Sequence, residues 1–150
     1  MSTSRFVSER KPGEYGYEDT SLRAMGGEEG VRRLVDLFYD EMETRPEARR
    51  ILEMHGTDLG LAREKLAAFL TGWLGGPKRY RERWGRIQIP AAHRHLDIGT
   101  AERDAWLACM QVAIDAMPVA DDFRAYFMRE IAVPANRVLA MAERTRADRP

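Results

Sequence analysis

The run FLTGWLGGPKRYRERWGRIQIPAAHRH, from Phe69 to His95, constrains this chain more than any other stretch. It opens as a helix carrying Phe69, Leu70, Trp73 and Leu74, and Gly75-Gly76-Pro77 stops that helix. Glycine favours the left-handed cap, and proline lacks the amide hydrogen that a continuing helix needs. Beyond the stop the pattern is irregular until His93, which sits in a short segment between Pro90 and Gly99. A long helix is cut, the chain swings round, and an imidazole is presented beside a helical wall. Such an imidazole is a candidate metal ligand.

The rest of the chain reads as helices on both sides of this break. Asp19, Thr20 or Ser21 caps a short first helix running to Met25, where Gly26-Gly27 breaks it. Val31, Leu34, Val35, Phe38 and Met42 then fall at helical spacing, which predicts an amphipathic helix over 28–44. Pro46 suits the first turn of a short helix with Ile51, Leu52 and Met54, and His55-Gly56-Thr57-Asp58 is the corner after it. Leu59, Ala62, Leu66, Phe69, Leu70 and Trp73 form the apolar stripe of the helix that enters the break. After it, Thr100 is expected to cap a helix bearing Trp106, Cys109, Met110, Ala113, Ile114 and Met117, ended by Pro118. A last helix carries Phe123, Tyr126, Phe127, Ile131, Val138 and Met141, with Pro134 expected to kink it. Nothing alternates with period two, so the fold class is all-α. Residues 1–17 read as a flexible polar arm, 18–145 as one domain, and 146–150 as a tail.

Composition narrows the function classes. The 150 residues suffice for one core without staples, and the 24 basic and 24 acidic residues balance. Neither nucleic acid nor an anionic membrane is indicated by that charge. No run approaches the roughly 20 apolar residues of a membrane span. A single cysteine, Cys109, excludes an internal disulfide and suits a reducing cytoplasm.

Chemistry rests on few residues. There are three histidines, His55, His93 and His95. Zinc at His93 and His95 is a weak reading, because residues two apart face opposite sides of a helix and Cys109 has no His or Cys near it in sequence. No nucleophile–base pair, phosphate-binding glycine loop or paired-carboxylate pattern is present. Tyr39 and Trp106 lie on or beside apolar stripes, and a buried Tyr or Trp must find a partner for its O–H or N–H. On the residues alone, a bond to a nearby carbonyl is the simplest assignment for each.

The segments GGEEGVRRLVDLFYDEM, FLTGWLGGPKRY and ERDAWLACM, in this order and spacing, resemble the group II truncated haemoglobins. His93 follows Gly75 by eighteen residues and precedes WLACM, a specific combination. The resemblance runs from about Gly26 to Met117, and more loosely into the last helix. It implies a shortened globin, with two pairs of helices packed two-over-two around haem b. By position, His93 corresponds to the proximal iron ligand, Tyr39 to the distal tyrosine, and Trp106 to the tryptophan diagnostic of groups II and III. His55 falls at the corner position that is Phe, Tyr or His in the family. Ala62 and Leu66 line the distal helix, Lys65 and Tyr80 reach the haem propionates, and Phe38 and Phe69 pack on the macrocycle.

One departure stands out. The family reads R-x-R-H-L-P-F around its proximal histidine, whereas this chain reads Pro90-Ala91-Ala92-His93-Arg94-His95-Leu96. Both arginines before the histidine are replaced, and Arg94 is left as a cation that could face a propionate from the other side.

The implied activity is binding of O₂, NO or CO at five-coordinate iron, with Tyr39 and Trp106 as donors and His55 as a third contact. A hydrogen bond to a charged acceptor contributes roughly 1.5–3 kcal/mol, so two donors slow ligand escape by a factor of about a hundred or more. Such retention suits NO dioxygenation, peroxidase chemistry or sensing better than oxygen transport. An enzymatic role would need a separate reductase. A homodimer is an open possibility for the assembly, and a cofactor-free helical interaction module is the remaining alternative.

Overall fold

The computed structural model describes residues 10–54, 58–86 and 98–147, and every regular element among them is helical. Among the described residues seven α-helices follow in order: α1 (Thr20–Met25), α2 (Gly27–Thr44), α3 (Arg49–Met54), α4 (Leu59–Trp73), α5 (Arg79–Trp84), α6 (Thr100–Asp115) and α7 (Asp121–Ala147). A 3-10 turn, Pro46–Ala48, leads into α3. His55, His93, Arg94 and His95 lie outside the described residues.

Helix α2 is the centre of the packing. Val31, Leu34, Val35, Phe38, Tyr39 and Met42 recur every three or four residues and are all buried, so one face of α2 is removed from water. Each fully buried side chain of this size contributes about 1.5–3 kcal/mol relative to exposure. That face meets both α4 and α6, while α7 packs on α6 through Phe123, Phe127 and Ile131. The expectation of an all-α fold with this helix order is met.

The glycine stop does more than end α4. Gly75 has φ +99°, and a Cβ there would lie 1.7 Å from the Glu18 carbonyl oxygen. Beside it the Leu22 amide donates to the Leu74 carbonyl at 3.1 Å. The stop is therefore also the place where the segment entering α1 passes directly over the end of α4. At the other end of α1, Gly26 takes the left-handed conformation with φ +101°, which terminates α1 and lets α2 start at once.

Two local expectations are corrected. First, Thr100 is the opening residue of α6 and Gly99 is its N-cap; the Glu102 carboxylate reaches back to accept from the Gly99 amide at 2.7 Å, which fixes the start one residue earlier. Second, the irregular middle contains α5, six residues too short to show apolar periodicity. It is tied to α2 by Arg79 and Glu28 and to α4 by Lys78 Nζ, which donates to the Gly72 carbonyl at 2.8 Å. Within the segment read as an arm, residues 10–17 form turns, and Tyr15 among them packs on α7. The Tyr15 ring meets Phe123 edge-on at 5.1 Å, and its hydroxyl donates to Asp122 Oδ1 at 2.8 Å. A ring with a polar tip can bury its face and keep its hydroxyl bonded at the rim.

At the start of α4, Asp58 Oδ1 accepts from the Leu61 amide at 2.9 Å as N-cap. Pro134 lies inside α7, which continues through it to Ala147. No helix among the described residues is long and apolar enough to cross a membrane.

Candidate functional site

Phe38 and Tyr39 are neighbours on α2, so their side chains leave the helix about 100° apart. This offset lets one pair reach two other helices. The Phe38 ring meets Trp106 of α6 edge-on at 5.2 Å and stands edge-on to Tyr39 at 5.2 Å. Tyr39 in turn lies under the guanidinium of Arg63 from α4, 5.2 Å from the ring centroid. Edge-to-face ring contacts add to area burial and favour one fixed arrangement.

Tyr39 is 2% exposed and Phe38 wholly buried. Burial pushes the Tyr39 phenol up to about 12, against a smaller opposing pull from Arg63. The hydroxyl is thus protonated at neutral pH and able to donate. Trp106 is half-buried, and its indole N–H has no hydrogen-bond acceptor among the described residues. The simplest assignment, a bond to a nearby main-chain carbonyl, is not found there.

Helix α4 carries two apolar faces. Ala67, Ala68, Leu70 and Thr71 are buried, whereas Ala62, Leu66, Phe69 and Trp73, spaced 4, 3 and 4 apart, are only half-buried. The two aromatic side chains of α4, Phe69 and Trp73, are thus among the less covered ones, the reverse of what a helix packed only on its own protein would show. Phe69 stacks on Trp73 at 6.3 Å, and Trp73 meets Phe127 edge-on at 6.0 Å. Lys65 and Tyr80 are brought together by a residue the sequence reading did not single out: Lys65 Nζ lies 5.6 Å above the Trp84 ring, and the Tyr80 ring is 5.1 Å from it.

Arg63 is the second residue missed. It donates to Asp36 Oδ1 at 2.8 Å and to Asp40 Oδ1 at 3.3 Å. The signal existed in outline, because Asp36 and Asp40 flank Tyr39 at helical spacing and so ask for a cation on the facing helix. Cys109 is fully buried, and desolvation pushes its thiol up to about 11, so it is an unreactive core residue.

These residues fit a flat, largely apolar group with polar edges. Leu66, Phe69 and Trp73 are half-buried apolar side chains, Tyr39 and Trp106 carry an O–H and an N–H, and Lys65 carries a cation beside the Trp84 ring. The fold and this set of side chains define a small helical protein of globin type. Comparison with known proteins carries this further. The chain matches the bacterial-like globin family over residues 20–139 and belongs to that family. It is 32% identical to the group 2 truncated haemoglobin of Bacillus subtilis over 117 residues, 78% of this chain and 86% of the relative. Among solved structures, it is similar to the group II two-on-two haemoglobin of Agrobacterium tumefaciens, with 36% identity, TM-score 0.74, and 79% of this chain and 92% of that one covered. A truncated haemoglobin from the Antarctic bacterium Pseudoalteromonas haloplanktis superposes with TM-score 0.76 at 28% identity, covering 79% of this chain and 96% of that one. The fold is therefore the truncated two-on-two globin, and membership implies haem binding and, through haem, binding of diatomic gases.

Proposed function

We propose that this chain holds haem b on His93 and binds O₂, NO or CO in a pocket where Tyr39 and Trp106 donate hydrogen bonds to the ligand. The observation that carries this reading is the Tyr39–Phe38–Trp106 cluster, which joins a protonated phenol on α2 to an indole on α6 through one buried ring. Bound haem would supply an iron with one open coordination position for a diatomic ligand. The chain's own residues do the rest. Phe38 fixes the spacing of the two donors, and Leu66 and Phe69 exclude water from the apolar wall. Ala62, small and half-buried, leaves room on the distal helix, and His55 is assigned as a third contact. Lys65 and Tyr80, with Arg94, are assigned to the propionates.

Slow release from two donors favours chemistry on the ligand over transport, so turnover of NO or peroxide is the second reading. Electrons for it would come from a separate reductase. A lone buried cysteine is in keeping with a cytoplasmic setting.

The test is spectroscopic. Reconstituted with haem, His93→Ala should lose the five-coordinate ferrous spectrum, and His95→Ala should keep it. Exchanged outcomes would move the ligand to His95. Turnover of NO by the oxygenated protein with a supplied reductant separates the two readings: a dioxygenase would give nitrate over many cycles, whereas a ligand-binding globin would give one equivalent and stop in the ferric form.

A further inference from the structure

We infer that Arg63 is a positioning residue for Tyr39: clamped by Asp36 and Asp40, its guanidinium holds the phenol ring in place and strengthens the donor it offers to a ligand. This rests on the reading of Tyr39 as a ligand donor.

Asp36, Tyr39 and Asp40 occupy positions i, i+3 and i+4 of α2 and so share one face. Arg63 approaches that face from α4, with Nη1 on Asp36 Oδ1 at 2.8 Å and Nη2 on Asp40 Oδ1 at 3.3 Å. Two different nitrogens on two different carboxylates fix the plane of the guanidinium. Its carbon then lies 5.2 Å from the Tyr39 centroid, inside the range of a cation–π contact.

The simpler account is a surface ion-pair network. The carboxylates are 65% and 66% exposed, and exposed pairs of this kind contribute little to stability. That account explains the ion pairs and leaves the ring contact out. The Arg63 side chain is 26% exposed and lies against a phenol that is 2% exposed, so the cation faces the pocket residue as well as the solvent-side carboxylates. A fixed positive charge beside a phenol favours its anionic form and makes the O–H a stronger donor, which is the sense of the pull that Arg63 exerts on Tyr39. A ring clamped from one side also loses fewer orientations when its hydroxyl engages a ligand.

The experiment uses the haem-loaded protein with carbon monoxide as infrared probe and O₂ release as second readout. Arg63→Met should move the C–O stretching band to higher wavenumber, towards that of Tyr39→Phe, and speed O₂ release about three- to ten-fold. Arg63→Lys should fall between, since it keeps the charge and loses the two-point clamp. Asp36→Asn with Asp40→Asn should act in the same direction while leaving Arg63 in place, which covers the case where Arg63→Met fails to fold. In a Tyr39→Phe background, Arg63→Met should have no further effect. A lowered unfolding midpoint with an unmoved C–O band would overturn the inference and leave Arg63 a structural ion pair. If Tyr39→Phe itself moves neither readout, the donor role of Tyr39 falls, and this inference with it.

Discussion

The indole of Trp106 meets the Phe38 ring edge-on, with centroids 5.2 Å apart and planes at 66°. This contact fixes the indole plane on a residue that does not itself carry a polar group, so the two possible roles of Trp106 can be separated. Trp106→Phe keeps a ring against Phe38 and deletes the N–H. A purely structural Trp106 would lose some stability and leave O₂ release unchanged. As a donor, its loss should speed O₂ dissociation about ten-fold or more, from the roughly 1.5–3 kcal/mol of a hydrogen bond to a charged acceptor. An off-rate within two-fold of the parent, by stopped flow, would refute the donor role.

Tyr39 predicts an alkaline loss of stability. Its phenol has an ordinary value of 10.0 and is raised by burial to about 12 in the folded chain. The folded state holds the proton more tightly, so this contribution is complete below pH 10 and is lost as pH rises towards 12. Urea unfolding at pH 9 and pH 11 should show a fall in stability of about 1–2 kcal/mol that is absent from Tyr39→Phe. An equal fall in both proteins would mean that Tyr39 is not the titrating group.

Gly75 should tolerate no side chain. Alanine at φ +99° costs about 1 kcal/mol in strain, and its Cβ would have to displace the Glu18 carbonyl, 1.7 Å away. Gly75→Ala should lower the unfolding free energy by about 2 kcal/mol or more, whereas Gly85→Ala, also at positive φ but with nothing within 4 Å, should cost about 1 kcal/mol. Equal losses would show that the close approach to Glu18 relaxes without cost.

How much of this was legible in the sequence follows from what each feature depends on. The long helices were legible because their apolar residues repeat over three or more turns, as Val31, Leu34, Val35, Phe38 and Met42 do. Helix α5 was not, since six residues with Tyr80 and Trp84 four apart give a single repeat. Tyr39, Phe38 and Trp106 were named from position in a familiar pattern, and their contact needed α2 and α6 in place. Arg63 and Trp84 act across helices: one joins α4 to α2, and the other joins α5 to α4. Pairing of that kind is set by how helices cross, which spacing within one helix does not encode. The docking of Tyr15 on Phe123 spans 108 positions and is invisible to any local pattern for the same reason.

Haem retention provides the last prediction, and it turns on Trp84. Lys65 Nζ lies 5.6 Å above one ring, Tyr80 packs 5.1 Å from it, and Arg83 is also within cation–π range at 5.8 Å. Trp84 is thus the platform on which the two residues assigned to the propionates are held. Where both arginines of the family pattern before His93 are replaced by Pro90-Ala91-Ala92, more of the anchoring would rest on this platform. Lys65→Met removes a partly exposed cation worth about 0–1 kcal/mol, so haem transfer to an acceptor globin should quicken by at most about five-fold, and less so in high salt. Trp84→Leu keeps an apolar contact but removes the surface that positions Lys65 and Tyr80. It should speed transfer by a similar factor, and the double variant should fall short of the product of the two, because both changes act on one cluster. Full multiplication of the two effects would show that Lys65 and Trp84 act separately, and unchanged transfer in both would remove this cluster from haem retention altogether.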